Sequence, residues 1–311
     1  MHTIGCDVAV IIYSRGRETC LRRLLADLAH HYRPALLCEG LSCCIWVYAQ
    51  GYGPAVLASL EGDFAGLIAA QGLVIVPAAR PHRCIGEVAA AAFTAVHAGC
   101  SYRLAMLMDD DSTYTADPEI DLNLRRAARR FLDQRHRAYS VKLGAARALD
   151  FQPFVAGASP IMPFKEKMLW LRRDVLEEVL HLPGFAELSI GEDAVIAALA
   201  WRADPLSCFA VSGLATFLHL SFEGPGEPAE VEIGGGYAEL VGHGSTDPGT
   251  KYDRALRSGV TPYHVLPDLF VPESHPHYAF NGIRDDVASA LQRVGGRSPI
   301  LACGAFAAAG P

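Results

Sequence analysis

Leu104-Ala105-Met106-Leu107-Met108-Asp109-Asp110-Asp111-Ser112 is the stretch from which the rest of this chain can be organised. Four of its first five residues are large and apolar, the composition of a strand buried on both faces, and it runs straight into three carboxylates. Unpaired negative charges are too costly to bury, so a cation or a set of hydrogen-bond donors must meet them. A rigid strand ending in Asp-x-Asp offers Asp109 and Asp111 as oxygen ligands, the preference of Mg2+ or Mn2+, with positions left for phosphate oxygens. The plainer alternative is an acidic turn in which Asp111 or Ser112 caps the next element, although such turns rarely follow so apolar a run.

Upstream, the same alternation of apolar run and turn recurs. Asp7 to Tyr13 reads as a buried strand, and Ser14-Arg15-Gly16-Arg17 as the turn after it. Leu21, Leu24, Leu25 and Leu28 then mark one face of an amphipathic helix. Ser42 to Tyr48 is a second strand, ended by Ala49-Gln50-Gly51-Tyr52-Gly53-Pro54, and Leu73 to Val76 a third, closed by Pro77. Glu87 to Ala98 is alanine-rich and helical, with Gly99 suited to its C-terminal cap. Strands alternating with helices at this spacing predict a mainly parallel sheet covered on both faces. Ligands of such sheets bind beyond the carboxyl ends of the strands, where Ser14–Arg17, Gln50–Gly53 and Asp109–Asp111 should line one crevice.

Downstream, Asp117-Pro118 starts a helix with Ile120, Leu124 and Phe131 inward and Arg125, Arg126, Arg129 and Arg130 mostly on a solvated face. Ala138 to Leu143 suggests a strand, and Phe151 to Phe164 a loop or irregular strand near the site. Arg172 to His181 is read as a helix ended by Pro183-Gly184-Phe185, and a second helix runs from Gly191-Glu192-Asp193 through Trp201. Cys208 to Leu220 forms one or two strands. Trp170 and Trp201 have apolar helical neighbours and belong in the core. Beyond Glu223 glycine and proline are dense and periodicity fades, leaving one short helix at Asp285 to Val294 and a flexible tail from Gly304 to Pro311. The expected division is therefore 1–222, with halves of about 1–115 and 116–222, followed by a loop-rich extension, 223–311.

With 311 residues, 51% of them hydrophobic, the chain has ample material for a large α/β core. A net charge of −7 argues against a nucleic-acid surface. No apolar run is long enough to span a bilayer and no secretory leader is evident, so a cytoplasmic location is expected. The nine cysteines lack a C-x-x-C and mostly sit in apolar runs, as small buried hydrophobes do in a reducing compartment. A zinc site at Cys43-Cys44 lacks a second pair at ligand spacing.

Gly191-Glu192-Asp193, at a helix start, would by itself be read as capping by the dipole and free N–H groups. Its surroundings say more. Met168-Leu-Trp-Leu-Arg172-Arg173-Asp174, Gly184-Phe185-Ala186-Glu187 and Glu192-Asp193 together resemble a stretch of family 2 glycosyltransferases of the GT-A fold. The N-terminal Val-Ile-Ile-Tyr-Ser-Arg and Leu-Arg-Arg-Leu-Leu are similar to that family's first strand and helix, and Met-Asp-Asp-Asp is especially like galactofuranosyltransferases within it. The resemblance spans roughly residues 6 to 222. It implies a GT-A-type, Rossmann-like, mostly parallel central sheet flanked by helices. It also implies metal-dependent transfer of a sugar, with inversion, from a nucleotide-diphosphate donor (a UDP-sugar foremost) to an acceptor hydroxyl. Asp109 and Asp111 would hold Mn2+ or Mg2+, with His219 as a further ligand, and Asp193 would be the general base. Ser14, Arg15, Arg83 and Asp110 would lie at the donor. The family commonly places an acidic residue after the second strand to hold the nucleobase. Here only Gln50 is offered, with Tyr48 or Tyr52 as stacking platforms.

Two enzymatic rivals remain at this level, beside a non-catalytic binding module on the same scaffold, which the two acidic sites make less attractive. Asp109-x-Asp111-x-Thr113 matches the opening of haloacid-dehalogenase-type phosphatases, with Asp109 as nucleophile, but a hundred residues of α/β precede it and the later acidic motif fits poorly. A sugar nucleotidyltransferase needs a glycine-rich loop for which Ser14–Arg17 is a thin substitute.

Overall fold

The computed structural model describes residues 3–110, 112–114, 129, 132, 138–141, 168–203, 208–212, 217–219, 259–270 and 301–302. The elements run β1 (Ile4–Gly5), β2 (Val8–Arg15), α1 (Glu18–Asp27), a π-helical turn (Leu28–Tyr32), α2 (Arg33–Cys38), β3 (Cys43–Gln50), α3 (Pro54–Asp63), α4 (Ala65–Ala69), β4 (Leu73–Pro77), α5 (Ile85–Gly99), β5 (Cys100–Ser101), β6 (Leu104–Met108) and β7 (Ser112–Tyr114). There follow β8 (Ala138–Val141), β9 (Met168–Arg172), α6 (Arg173–Leu180), a 3-10 turn (Phe185–Glu187), α7 (Glu192–Ala203), β10 (Cys208–Ser212), β11 (Phe217–His219), α8 (Pro262–Val265) and β12 (Leu301–Ala302).

Eight strands form the central sheet in the order β12-β10-β8-β9-β6-β2-β3-β4. β2 pairs in parallel with both β3 and β6, and β3 with β4. The chain thus builds outward from β2 through β3 and β4, then returns to its other side with β6. That reversal opens a crevice between the carboxyl ends of β2 and β6. Two smaller ladders, β1–β5 and β11–β7, stand beside the main sheet.

The apolar runs form these strands because side chains alternate between two covered faces. Val8, Val10 and Ile12 join one core with Leu21, Leu24, Leu25 and Leu28, all of them fully buried. Ala9 and Ile11 join the other, with Phe93 of α5, Val175 of α6 and Ala194 of α7. Trp170 is fully buried, its ring edge-on to Tyr32 at 6.5 Å. Of the helix expected from Asp117, only Arg129 and Leu132 are among the described residues; both are helical, Arg129 exposed and Leu132 buried. The helix expected at 285–294, the loop at 151–164, the tail from 304 and the Trp201 side chain lie outside them.

Two expectations are corrected. Trp170, expected beside helical neighbours, and Arg172, expected to open a helix, belong instead to the strand Met168–Arg172, which runs antiparallel between β6 and β8. Flanked by charges, its five residues are too few to show a period. Gly99 is not a left-handed cap: it is the last residue of α5 and is absent from the positive-φ glycines. A Cβ there would lie 2.5 Å from the indole of Trp46, so packing across the sheet demands the glycine.

From the loop-rich stretch beyond 223, residues 259–270 pack against α7. Thr261 and His264 form a reciprocal cap on α8, and Leu266, Leu269 and Phe270 join the same core as α5 and α7. Among the described residues no helix is long and apolar enough to cross a membrane.

Candidate active site

Strand pleat divides the residues at the β2–β6 crevice between the two faces of the sheet. On the α1 side, Ser14 is 1% exposed and donates its hydroxyl to Asp110 Oδ2 at 2.5 Å. Its oxygen is also 2.5 Å from the Tyr52 hydroxyl, and Arg17 reaches Asp110 Oδ1 at 3.4 Å. These contacts tie the turns after β2, β3 and β6 into one unit. Burial first, and then the Asp110 charge, raise the Tyr52 phenol above its ordinary range. Asp110, expected at the donor, is thus turned inward onto Ser14 and Arg17. Tyr52, expected as a stacking platform, has its hydroxyl engaged with Ser14.

On the α5–α7 side stands Tyr13, the last aromatic of β2. Its ring lies edge-on to Phe93 at 6.5 Å, and its hydroxyl donates to Glu192 Oε1 at 3.0 Å. The phenol is held well above its ordinary pKa, by burial first and then by the negative charges of Glu192, Asp109 and Asp193. This half-buried tyrosine, on the strand that pairs with β6, thus links the sheet edge that carries Asp109 to the start of α7 through its hydrogen bond to Glu192. Asp109 continues the β6 alternation towards this side, while Asp110, one residue on, turns to Ser14 on the other. Asp193 accepts the Ala194 N–H at 2.8 Å and both Glu192 and Asp193 lie in the first turn of α7, where the helix dipole favours negative charge.

The approach to α7 is sterically tight. Gly191 has φ +75°, and a Cβ there would meet Pro262 Cγ at 2.8 Å, while Ser189 N–H donates to the Val260 carbonyl at 2.8 Å. Residues 259–262 thereby buttress the turn that carries Glu192 and Asp193. Gly86 N–H likewise donates to the Leu188 carbonyl, at 2.9 Å.

Gln50 ends β3 opposite Arg15 in register and is 1% exposed. Neither its amide nitrogen nor its amide oxygen has a hydrogen-bond partner among the described residues. Such a group costs on the order of 1–3 kcal/mol to bury unmet, so it asks for a partner that the described protein atoms do not supply. Tyr48, the other expected platform, is in the core with its hydroxyl 2.7 Å from His82 Nε2. His82 Nδ1 is 3.6 Å from Glu87, which also accepts the Arg83 N–H at 2.8 Å and pairs with Arg80. Burial pushes the Glu87 carboxyl up, but the Arg83 N–H and Arg80 outweigh it and hold it below its ordinary pKa. The Arg83 guanidinium is 3.6 Å from Glu87 and its side chain is 81% exposed on the rim of α5.

Of the residues expected to bind metal, Asp111 and the His219 side chain lie outside the described set. The backbone pairing is nevertheless clear: β11 runs antiparallel to β7, with His219 opposite Ser112, the residue after Asp111. Among the described residues no three His, Cys, Asp or Glu side chains form a metal cage by themselves. The sequence reading passed over Tyr13 and Glu192 as partners. The available signal was a tyrosine closing an aliphatic strand, since a buried phenol needs a hydrogen-bond partner.

No protein-family model matches the chain, and no curated protein matches it. Solved structures do. It is similar to residues 1–349 of S. aureus TarS, with 13% identity over 88% of this chain and 70% of that one, at a TM-score of 0.52. The same protein in complex with UDP-GlcNAc aligns at 12% identity over 94% and 73%, at 0.51. The mannosyltransferase PcManGT of Pyrobaculum calidifontis, solved with GDP-Man and Mn2+, aligns at 15% identity over 99% and 82%, at 0.52. At such identities the likeness is one of fold, and the fold is the GT-A type of these glycosyltransferases: a mostly parallel central sheet flanked by helices.

Proposed function

We propose that this protein is a metal-dependent, inverting glycosyltransferase that moves a sugar from a nucleotide-diphosphate donor, a UDP-sugar foremost, to an acceptor hydroxyl. The observation that supports the reading is the 3.0 Å hydrogen bond from Tyr13, on the strand beside the Asp109-bearing β6, to Glu192 at the start of α7, at the reversal point of the sheet. Asp193 takes the proton of the acceptor hydroxyl, whose oxygen attacks the anomeric carbon as the sugar–phosphate bond breaks on the opposite side. Asp109, Asp111 and His219 are the metal ligands in this reading, an oxygen-and-imidazole set suited to Mn2+ or Mg2+. When bound, such an ion supplies Lewis-acid stabilisation of the departing diphosphate. The placement of β11 against β7 supports grouping His219 with Asp111.

Arg15, Ser14 and Gln50 serve the donor. The buried, unmatched amide of Gln50 offers one donor and one acceptor to the edge of a nucleobase. Asp110 acts through Ser14 and Arg17, holding the loops that surround the donor, and Arg83 meets the diphosphate from the rim. Residues 1–222 form the catalytic unit in this reading, and 223–311 contribute the buttress at 259–270 together with an acceptor lid or partner surface.

The test is a thermal-shift series with UDP, GDP, CDP and ADP, each with Mn2+ and with chelator, because a ligand that binds the folded state raises its apparent stability. Stabilisation by one nucleoside diphosphate, dependent on Mn2+ and lost in Asp111→Ala, is expected. Absence of stabilisation by all four in the presence of Mn2+ would refute the reading.

A further inference from the structure

At the amino-terminal edge of the sheet, away from the β2–β6 crevice, two thiols meet. β1 pairs with β5, Ile4 opposite Cys100 and Gly5 opposite Ser101, and the Cys6 N–H donates to the Ser101 carbonyl at 2.9 Å. This brings Cys6 Sγ to 3.5 Å from Cys100 Sγ, across 94 positions of sequence. Cys6 is half-buried and therefore accessible to a small reagent, whereas Cys100 is fully buried behind it. Arg173 donates to the Cys100 carbonyl at 2.9 Å, placing a guanidinium beside the pair. We propose that Cys6 and Cys100 are a reversible disulfide site, closed by exchange with a low-molecular-weight disulfide such as oxidised glutathione.

The chemistry balances without a further reactant. The Cys6 sulfur attacks one sulfur of oxidised glutathione, the S–S bond of the reagent breaks, and one glutathione leaves with the Cys6 proton. The Cys100 sulfur then attacks Cys6 in the mixed disulfide, and the second glutathione leaves with the Cys100 proton. Two electrons pass from the protein dithiol to the reagent, and one protein S–S bond forms. Cys100 is suited to the second step because the Arg173 guanidinium lies beside it and favours its thiolate. Closing the bond requires the sulfurs to approach by about 1.5 Å, a movement within reach of a strand only two residues long. The product fastens β1 to the junction between α5 and β6.

The experiment uses the full chain, reduced, freed of reductant and exposed to oxidised glutathione, then blocked with N-ethylmaleimide and digested without reduction. The expected result is a cross-linked peptide joining Cys6 to Cys100, with neither sulfur carrying maleimide or glutathione, and full reversal by dithiothreitol. Cys6→Ser, at the half-buried position, should fold normally and lose the cross-link. Maleimide on both thiols, glutathione retained on Cys6, or pairing of either cysteine with Cys43 or Cys44 would each overturn the proposal. None of these readouts depends on sugar transfer, so the outcome is independent of the proposed activity.

Discussion

Tyr13→Phe removes one oxygen from the place where the two acidic segments meet. The ring remains, and with it the edge-on packing against Phe93. What disappears is the 3.0 Å hydrogen bond to Glu192 Oε1. Hydrogen bonds to charged groups contribute about 1.5–3 kcal/mol. Glu192 is half-buried, so water recovers part of the loss, and phenylalanine spares the desolvation of a phenol. The lower end of the range applies, about 1.5 kcal/mol, or a fall in Tm of about 2 °C for a chain of this size. Urea unfolding of wild type, Tyr13→Phe, Glu192→Ala and the double variant forms a thermodynamic cycle, in which a coupling of about 1 kcal/mol is expected. Additivity within about 0.3 kcal/mol would show that Tyr13 does not hold the start of α7, and the electrostatic meeting point would lose its anchor.

Asp193→Asn should abolish sugar transfer while leaving nucleotide affinity within a few-fold of wild type, measured by calorimetry beside a product assay; full turnover would remove Asp193 from the chemistry. Gly86→Ala should destabilise by about 2–3 kcal/mol in urea, because the new methyl carbon would meet the Phe185 carbonyl oxygen at 2.1 Å and the Leu188 nitrogen at 2.8 Å, both backbone atoms that cannot swing away. Glu87 has a folded-state pKa below its ordinary value, so its contribution to stability is present above the unfolded glutamate pKa of about 4.3 and is lost as pH falls further. Glu87→Gln should therefore lower the urea midpoint at pH 7 and converge on wild type in acid; equal losses at both pH values would refute the linkage. Gln50→Leu should weaken nucleoside-diphosphate binding by tenfold or more, without lowering the urea midpoint, since its amide atoms make no hydrogen bond among the described residues.

Much of the parallel half of the sheet is legible in the sequence because its signals are local. An apolar run ended by Gly, Pro or Asp marks β2, β3, β4 and β6 within a residue or two. The spacing of Leu21, Leu24, Leu25 and Leu28 names a buried helical face that is fully covered in the structure. Met168–Arg172 escaped because five residues between Lys167 and Arg173, lacking polar alternation, show no period that separates a strand from the helix that follows. Gly99 was misread because its reason, the Trp46 indole, is contributed by β3. The acidic residues could be picked out one segment at a time, but their relations could not.

Taken alone, the amino-acid sequence determined which segments bury and which carboxylates must be answered by cations or donors, since hydrophobic period and charge are properties of neighbouring residues. The tertiary structure decided which of those carboxylates face each other. Strand pleat sends Asp110 to Ser14 and leaves Asp109 on the side of Tyr13, and the chain's return across the sheet brings Glu192 to the same hydroxyl from 179 residues away. That contact depends on strand order and on the direction of each Cβ, and no local window of sequence contains either.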